Sequence, residues 1–131
     1  MPKIMIASGP VIIENNKILL NQHGDTTFWK FCGGQVENFE TDLIENAKRE
    51  AKEEMGIDIE ILDENPFLMK ITKKSPEGNT DIILVNYLAK RIGEIKPGSD
   101  IREWDWIDIN GPSSNLAPNI IPALKHFGII K

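Results

Sequence analysis

The chain has 131 residues, 40% hydrophobic and 27% charged, with a net charge of −5 and a single cysteine. These proportions fit a soluble globular protein of one domain, 1–131, with enough chain to bury a core. The acidic balance argues against a nonspecific nucleic-acid binder, and a lone cysteine cannot close an internal disulfide, so a reducing cytoplasm is the expected location. No apolar run approaches the roughly 20 residues of a membrane span, and the apolar N-terminus is broken at Gly9-Pro10 without a signal-peptide layout.

In chain order, residues 4–7 and 11–13 are β-branched and apolar, predicting a strand with a break at Gly9-Pro10. Asn15-Asn16 reads as a turn, and 17–21 as the returning strand of a hairpin. After a polar loop at 22–27, a short strand over 28–32 delivers the chain to Gly33-Gly34. A helix is predicted over 41–55. Thr41 or Asp42 caps its start, Glu45 stands at capping-box spacing from Asp42, and Gly56 stops it. Alternation of Ile57, Ile59 and Ile61 with acids predicts a half-buried strand. Strands over 67–73 and 81–90 flank the turn cluster at 75–79, the second being the longest apolar run. The last strand is expected over 101–109, with Trp104 and Trp106 on one face and Ile107 on the other. A second helix is expected over 119–127, with Pro122 tolerable only in its first turn. Strands, helix, strands, helix give an α/β fold with a mixed sheet covered by helices.

Wound at about 100° per residue, the long helix puts Leu43, Ala47, Ala51 and Met55 on one stripe, with Ile44 beside it. Glu45, Lys48 and Lys52 face away. Glu50, Glu53 and Glu54 form an arc at the edge of the stripe, spaced i, i+3 and i+4. Like charges at that spacing cost a few tenths of a kcal/mol each on an exposed helix, and more when half-buried. An acidic solvent face is the simpler explanation of such a motif. Its place beside the apolar stripe, behind a Gly-Gly loop carrying Glu37 and Glu40, favours a cation site, and oxygen-only ligands suit Mg²⁺ or Mn²⁺.

The segment GGQVENFETDLIENAKREAKEEMGI, 33–57, resembles the signature of the Nudix hydrolases, G-x5-E-x7-R-E-U-x-E-E-x-G-U with U a bulky aliphatic. Gly34 and Glu40 supply the first half, and REAKEEMGI from Arg49 to Ile57 the second, with its spacing intact. Eight residues separate Glu40 from Arg49 where the family has seven. Phe39 stands where the family has glycine, Ala51 replaces the bulky aliphatic, and Cys32 takes the place of a frequent proline.

The resemblance implies an α/β/α sandwich and metal-dependent hydrolysis of a pyrophosphate bond in a nucleoside diphosphate linked to another group. It implies Glu50, Glu53, Glu54 and the Gly33 carbonyl as metal ligands. Arg49 is then an orienting residue, and Glu53, Glu54 or Asp100 the base, with Glu103 a rival to Asp100. Phe28 and Trp29 are candidates for stacking on a nucleobase, or for the core. Asn119 is a candidate reader of a base edge, or a helix cap. Lys30, Lys70, Lys73, Lys74 and Arg91 are unranked phosphate contacts. Cys32 reads as a buried small hydrophobe, and His23 and His126 as surface or partner-satisfied residues. A small-molecule nucleotide is the expected partner, with no stable nucleic acid and no membrane. A nucleoside triphosphate, oxidised ones included, leads the substrates over ADP-ribose, a sugar nucleotide or a dinucleoside polyphosphate. The competing reading is a Nudix-like binding module without turnover.

Overall fold

The computed structural model describes residues 3–24, 26–37, 41–111 and 115–131. Phe39 and Glu40, which the sequence reading drew on, lie outside them. Among the described residues the elements are β1 (Lys3–Glu14), β2 (Lys17–His23), β3 (Gly34–Gln35), α1 (Leu43–Met55), β4 (Asp58–Ile61), β5 (Phe67–Ser75), β6 (Gly78–Ile92), β7 (Ile101–Asp108) and α2 (Ile120–His126). The sheet runs β4-β6-β1-β2-β7, with β3 paired to β1 and β5 to β6. Among the described strands only β1 and β6 pair in parallel, so the sheet is mixed, as the sequence predicts.

Neighbouring residues of each central strand belong to opposite sides, as the two-residue period of a strand requires. Ile12, Leu19, Val85, Tyr87 and Ala89 pack with Ala47, Ala51 and Met55 of α1. Val11, Ile18, Leu20 and Leu88 pack with Ile120, Ala123 and Leu124 of α2. The result is a sheet between two helices, with one apolar cluster on each face.

Two strand predictions need correcting. β1 is unbroken at Gly9-Pro10. On the side where Val36 N–H donates to the Ile6 carbonyl, β3 pairs only as far as Ser8 and β2 begins only at Ile13. Pro10, on that same side by alternation, therefore withholds no ladder bond. Gly9 is required for a different reason: a Cβ there would lie 1.9 Å from the Cys32 carbonyl oxygen. The segment 28–32 is not a regular strand; it makes isolated bridges, Asn21 to Lys30 and Trp29 to Leu116.

Asp42 is the cap of α1, accepting from the Ile44 N–H at 3.4 Å, and Gly56 closes the helix in the left-handed region at φ 69°. Asn119 occupies the cap position of α2 without a side-chain capping bond, which leaves its amide for the pocket described next.

Candidate active site

The turn at Gly33-Gly34 sits between β1 and α1, and both glycines are needed for close approach. Gly33 has φ 148° and lies against the Ser8 carbonyl, while a Cβ on Gly34 would fall 2.5 Å from the Glu50 carboxyl carbon. The Gly33 N–H donates to Glu54 Oε1 at 2.9 Å. The contact that the structure gives Gly33 is thus through its N–H.

On one side of the turn lies a pocket of about 180 Å³, walled by Glu50, Glu53 and Glu54 together with His23 and residues 98–101. The segment 98–101 is held there by backbone. Gly98 N–H donates to the Glu54 carbonyl at 2.8 Å, and Gly24 N–H to the Asp100 carbonyl at 3.0 Å. Asp100 therefore shares a pocket with the three glutamates. Its rival Glu103 does not: it lines a separate depression with Trp29, Arg102, Trp104 and Asp105. His23, expected at the surface or partner-satisfied, is a wall of the acidic pocket, and its buried Nδ1 has no hydrogen-bond partner among the described residues.

The three glutamates are not equivalent. Side chains of Glu50 and Glu54 are 13% and 10% exposed, whereas that of Glu53 is 58% exposed. Arg49 bridges Glu53 and Glu50. Its guanidinium donates to both Glu53 oxygens at 3.0 and 3.1 Å, lies 3.1 Å from Glu50 Oε1, and donates to Asn46 Oδ1 at 2.8 Å. Burial, then the Glu54 charge, raises the Glu50 carboxyl above its ordinary value despite the opposing pull of Arg49. Among the described residues no three His, Cys, Asp or Glu side chains converge as a ready-made metal cage. The donor set still fits a divalent cation. Two half-buried carboxylates stand together, Glu50 beside Arg49 and Glu54 at the longer 3.9 Å from Lys30, and Mg²⁺ takes one or two carboxylates, completing its shell with water and substrate phosphates.

On the other side of the turn is a pocket of about 290 Å³, mostly apolar, lined by Met5, Ala7, Ile71, Ile82, Leu84 and Phe28 among others. Its polar groups include Asn119 and Asn86, both buried, with Asn119 Nδ2 donating to Asn86 Oδ1 at 2.9 Å. Asn86 was legible only as a polar interruption of the longest apolar run. Phe28 and Asn119 are brought together here. Trp29 is not: it packs on the α2-side core and does not line this pocket.

Lys30 joins the two pockets. It lines the apolar one, and its Nζ lies 3.9 Å from Glu54 Oε2. The structure thereby separates the candidate cations. Arg91 is engaged by Glu14 at 2.8 and 2.9 Å, and Lys70, Lys73 and Lys74 are exposed on β5. Cys32 is buried, as expected, and its thiol is pushed well up by that burial first and by the Glu54 charge second.

The family model for the NUDIX domain matches residues 5–127. The chain belongs to the NUDIX family. Membership makes this NUDIX protein a hydrolase of pyrophosphate bonds. Solved structures with the same fold include the Escherichia coli ORF135 protein, at 24% identity over 97% of this chain and 90% of that one, with TM-score 0.72. A MutT NUDIX hydrolase from Burkholderia pseudomallei matches at 21% identity over 94% and 97%, with TM-score 0.75. An ADP-ribose pyrophosphatase from Streptococcus suis matches at 23% identity over 92% and 87%, with TM-score 0.65. A search of curated proteins finds no match.

Proposed function

We propose that this NUDIX hydrolase cleaves a pyrophosphate bond of a nucleoside triphosphate, oxidised ones included, releasing nucleoside monophosphate and pyrophosphate. The observation that carries the proposal is the pair of unlike pockets on either side of the Gly33-Gly34 turn, which lines the apolar pocket and against which Glu54 and Glu50 of the acidic pocket lie. A nucleoside needs an apolar slot with a few fixed polar groups, and a phosphate chain needs concentrated, positioned charge. Here the two lie side by side, with Lys30 between them.

In this reading the base enters beside Phe28 and meets the Asn86–Asn119 pair. Lys30 receives a phosphate oxygen as the chain passes the turn. Glu50 and Glu54 hold the divalent cation, Mg²⁺ or Mn²⁺, and Glu53 and the Gly33 carbonyl are its further ligands in the sequence reading. When bound, that cation supplies neutralisation of the phosphate charge and acidification of water. The Gly33 N–H fixes the direction of one Glu54 oxygen. Arg49 holds Glu53 and steadies Glu50. Asp100 and Glu54 face the same pocket, so either can take the proton of the attacking water.

The test is a hydrolysis panel with Mg²⁺ and with Mn²⁺. It covers ordinary and oxidised nucleoside triphosphates, ADP-ribose, dinucleoside polyphosphates and sugar nucleotides. Turnover of triphosphates to monophosphate and pyrophosphate is expected. Preference for ADP-ribose, or nucleotide-dependent thermal stabilisation without any turnover, would overturn the proposal.

A further inference from the structure

Asn46 is 1% exposed on the buried stripe of α1, where neighbouring positions carry Ala47 and Ala51. A helix optimised for stability alone would place alanine there too, since asparagine is a poorer helix former and a buried amide must be satisfied. All of its hydrogen-bonding groups are used. Nδ2 donates to Ser8 Oγ at 2.9 Å and to the Gly34 carbonyl at 3.1 Å, and Oδ1 accepts from Arg49 at 2.8 Å. Ser8 Oγ in turn donates to the Leu43 carbonyl at 2.8 Å.

The direction of this network is fixed by chemistry. A guanidinium only donates and a backbone carbonyl only accepts, so the amide oxygen faces Arg49 and the amide nitrogen faces the turn. One side chain therefore ties together β1, the glycine turn that Glu54 and Glu50 lie against, and the arginine that holds Glu53.

We propose that Asn46 is a positioning residue of the acidic pocket, acting through Arg49 and the Gly34 carbonyl to set where the glutamates stand. The proposal rests on the hydrolase reading for its effect on rate, but not for its effect on geometry. Groups that orient a metal-binding shell typically change activity by about 10–100-fold when removed.

The experiment is a double-mutant cycle of Asn46→Ala with Arg49→Ala, read as kcat and KM per folded enzyme, beside NMR of the Arg49 guanidinium in the metal-free protein. Asn46→Ala is expected to lower kcat by about 10–100-fold with KM within about two-fold. The double variant should be no worse than Arg49→Ala by more than about three-fold, because residues acting as one unit are non-additive. The Arg49 guanidinium resonances, rotationally restricted in the wild type, should average in Asn46→Ala. A lowered Tm with unchanged kcat, or fully additive losses, would overturn the inference. Wild-type protein inactive on the whole panel would refute the proposed function, and the NMR comparison would still decide this one. Unaltered Arg49 resonances in Asn46→Ala would then sink it.

Discussion

Replacing Gly34 by alanine separates the fold from the chemistry. The added Cβ would stand 2.5 Å from the Glu50 carboxyl carbon and 2.6 Å from both its oxygens. Ordinary contact begins near 3.4 Å, so the carboxylate must retreat by about 1 Å. It is the far end of a flexible side chain, and Gly34 is not among the positive-φ glycines, so the backbone has no reason to move. The expected cost in stability is small, within about 1 kcal/mol. The expected cost in turnover is large, about 100-fold, because a displacement of 1 Å in a positioned group is worth roughly that factor. Gly9→Ala is the matched control. Its Cβ meets backbone, 1.9 Å from the Cys32 carbonyl oxygen and 2.7 Å from Gly33 Cα, so it should destabilise by about 3 kcal/mol or more. Thermal melts and steady-state kinetics on the preferred triphosphate read both quantities. A folded Gly34→Ala protein turning over within about two-fold of wild type would show that the position of Glu50 does not govern the reaction.

Glu54→Gln should keep the Gly33 N–H bond through its amide oxygen while lowering kcat by at least about 100-fold, measured as pyrophosphate release; a wild-type rate would remove Glu54 from the mechanism. Glu50→Gln bears on pH. Because the folded-state Glu50 carboxyl is raised, the native protein holds that proton more tightly than the unfolded chain, so its stabilising contribution is full below the ordinary value of 4.5 and is lost as pH rises through the raised one. In chelator, the glutamine variant should melt above wild type near about pH 7, with the gap closing at acid pH. An equal or lower melting point near neutrality would contradict the burial argument. Asn119→Ala should raise KM for the preferred nucleotide about 10-fold with kcat nearly unchanged, as loss of a uniform binding contact requires; a pure kcat effect would place Asn119 elsewhere in the mechanism.

Much of the fold is local and was therefore legible. The stripe of Leu43, Ala47, Ala51 and Met55 predicts the buried face of α1, and Gly56 predicts its end, because helix period and helix caps are properties of a dozen neighbouring residues. The departures lie where a distant backbone intervenes. Pro10 reads as a break until β2 and β3 are seen to leave that stretch of β1 unpaired on one side. Phe28 and Trp29 read alike until the fold places one at the pocket and the other on the α2-side core.

What the sequence determined by itself is the spacing of Arg49, Glu50, Glu53 and Glu54 on one helix, and with it the family resemblance and the expectation of a cation. What only the tertiary structure decided is which partners those groups meet. Asn46 and Asn86 carry no functional signal in the sequence, His23 reads as a surface or partner-satisfied residue, and Lys30 as one of five unranked phosphate contacts. Each gains its place from chain far away in sequence: Ser8 and Gly34 for Asn46, Asn119 for Asn86, the 98–101 segment for His23, Glu54 for Lys30. The physical reason is range. Helical periodicity is written within a few turns of chain, whereas a hydrogen bond between segments depends on where the whole sheet carries them.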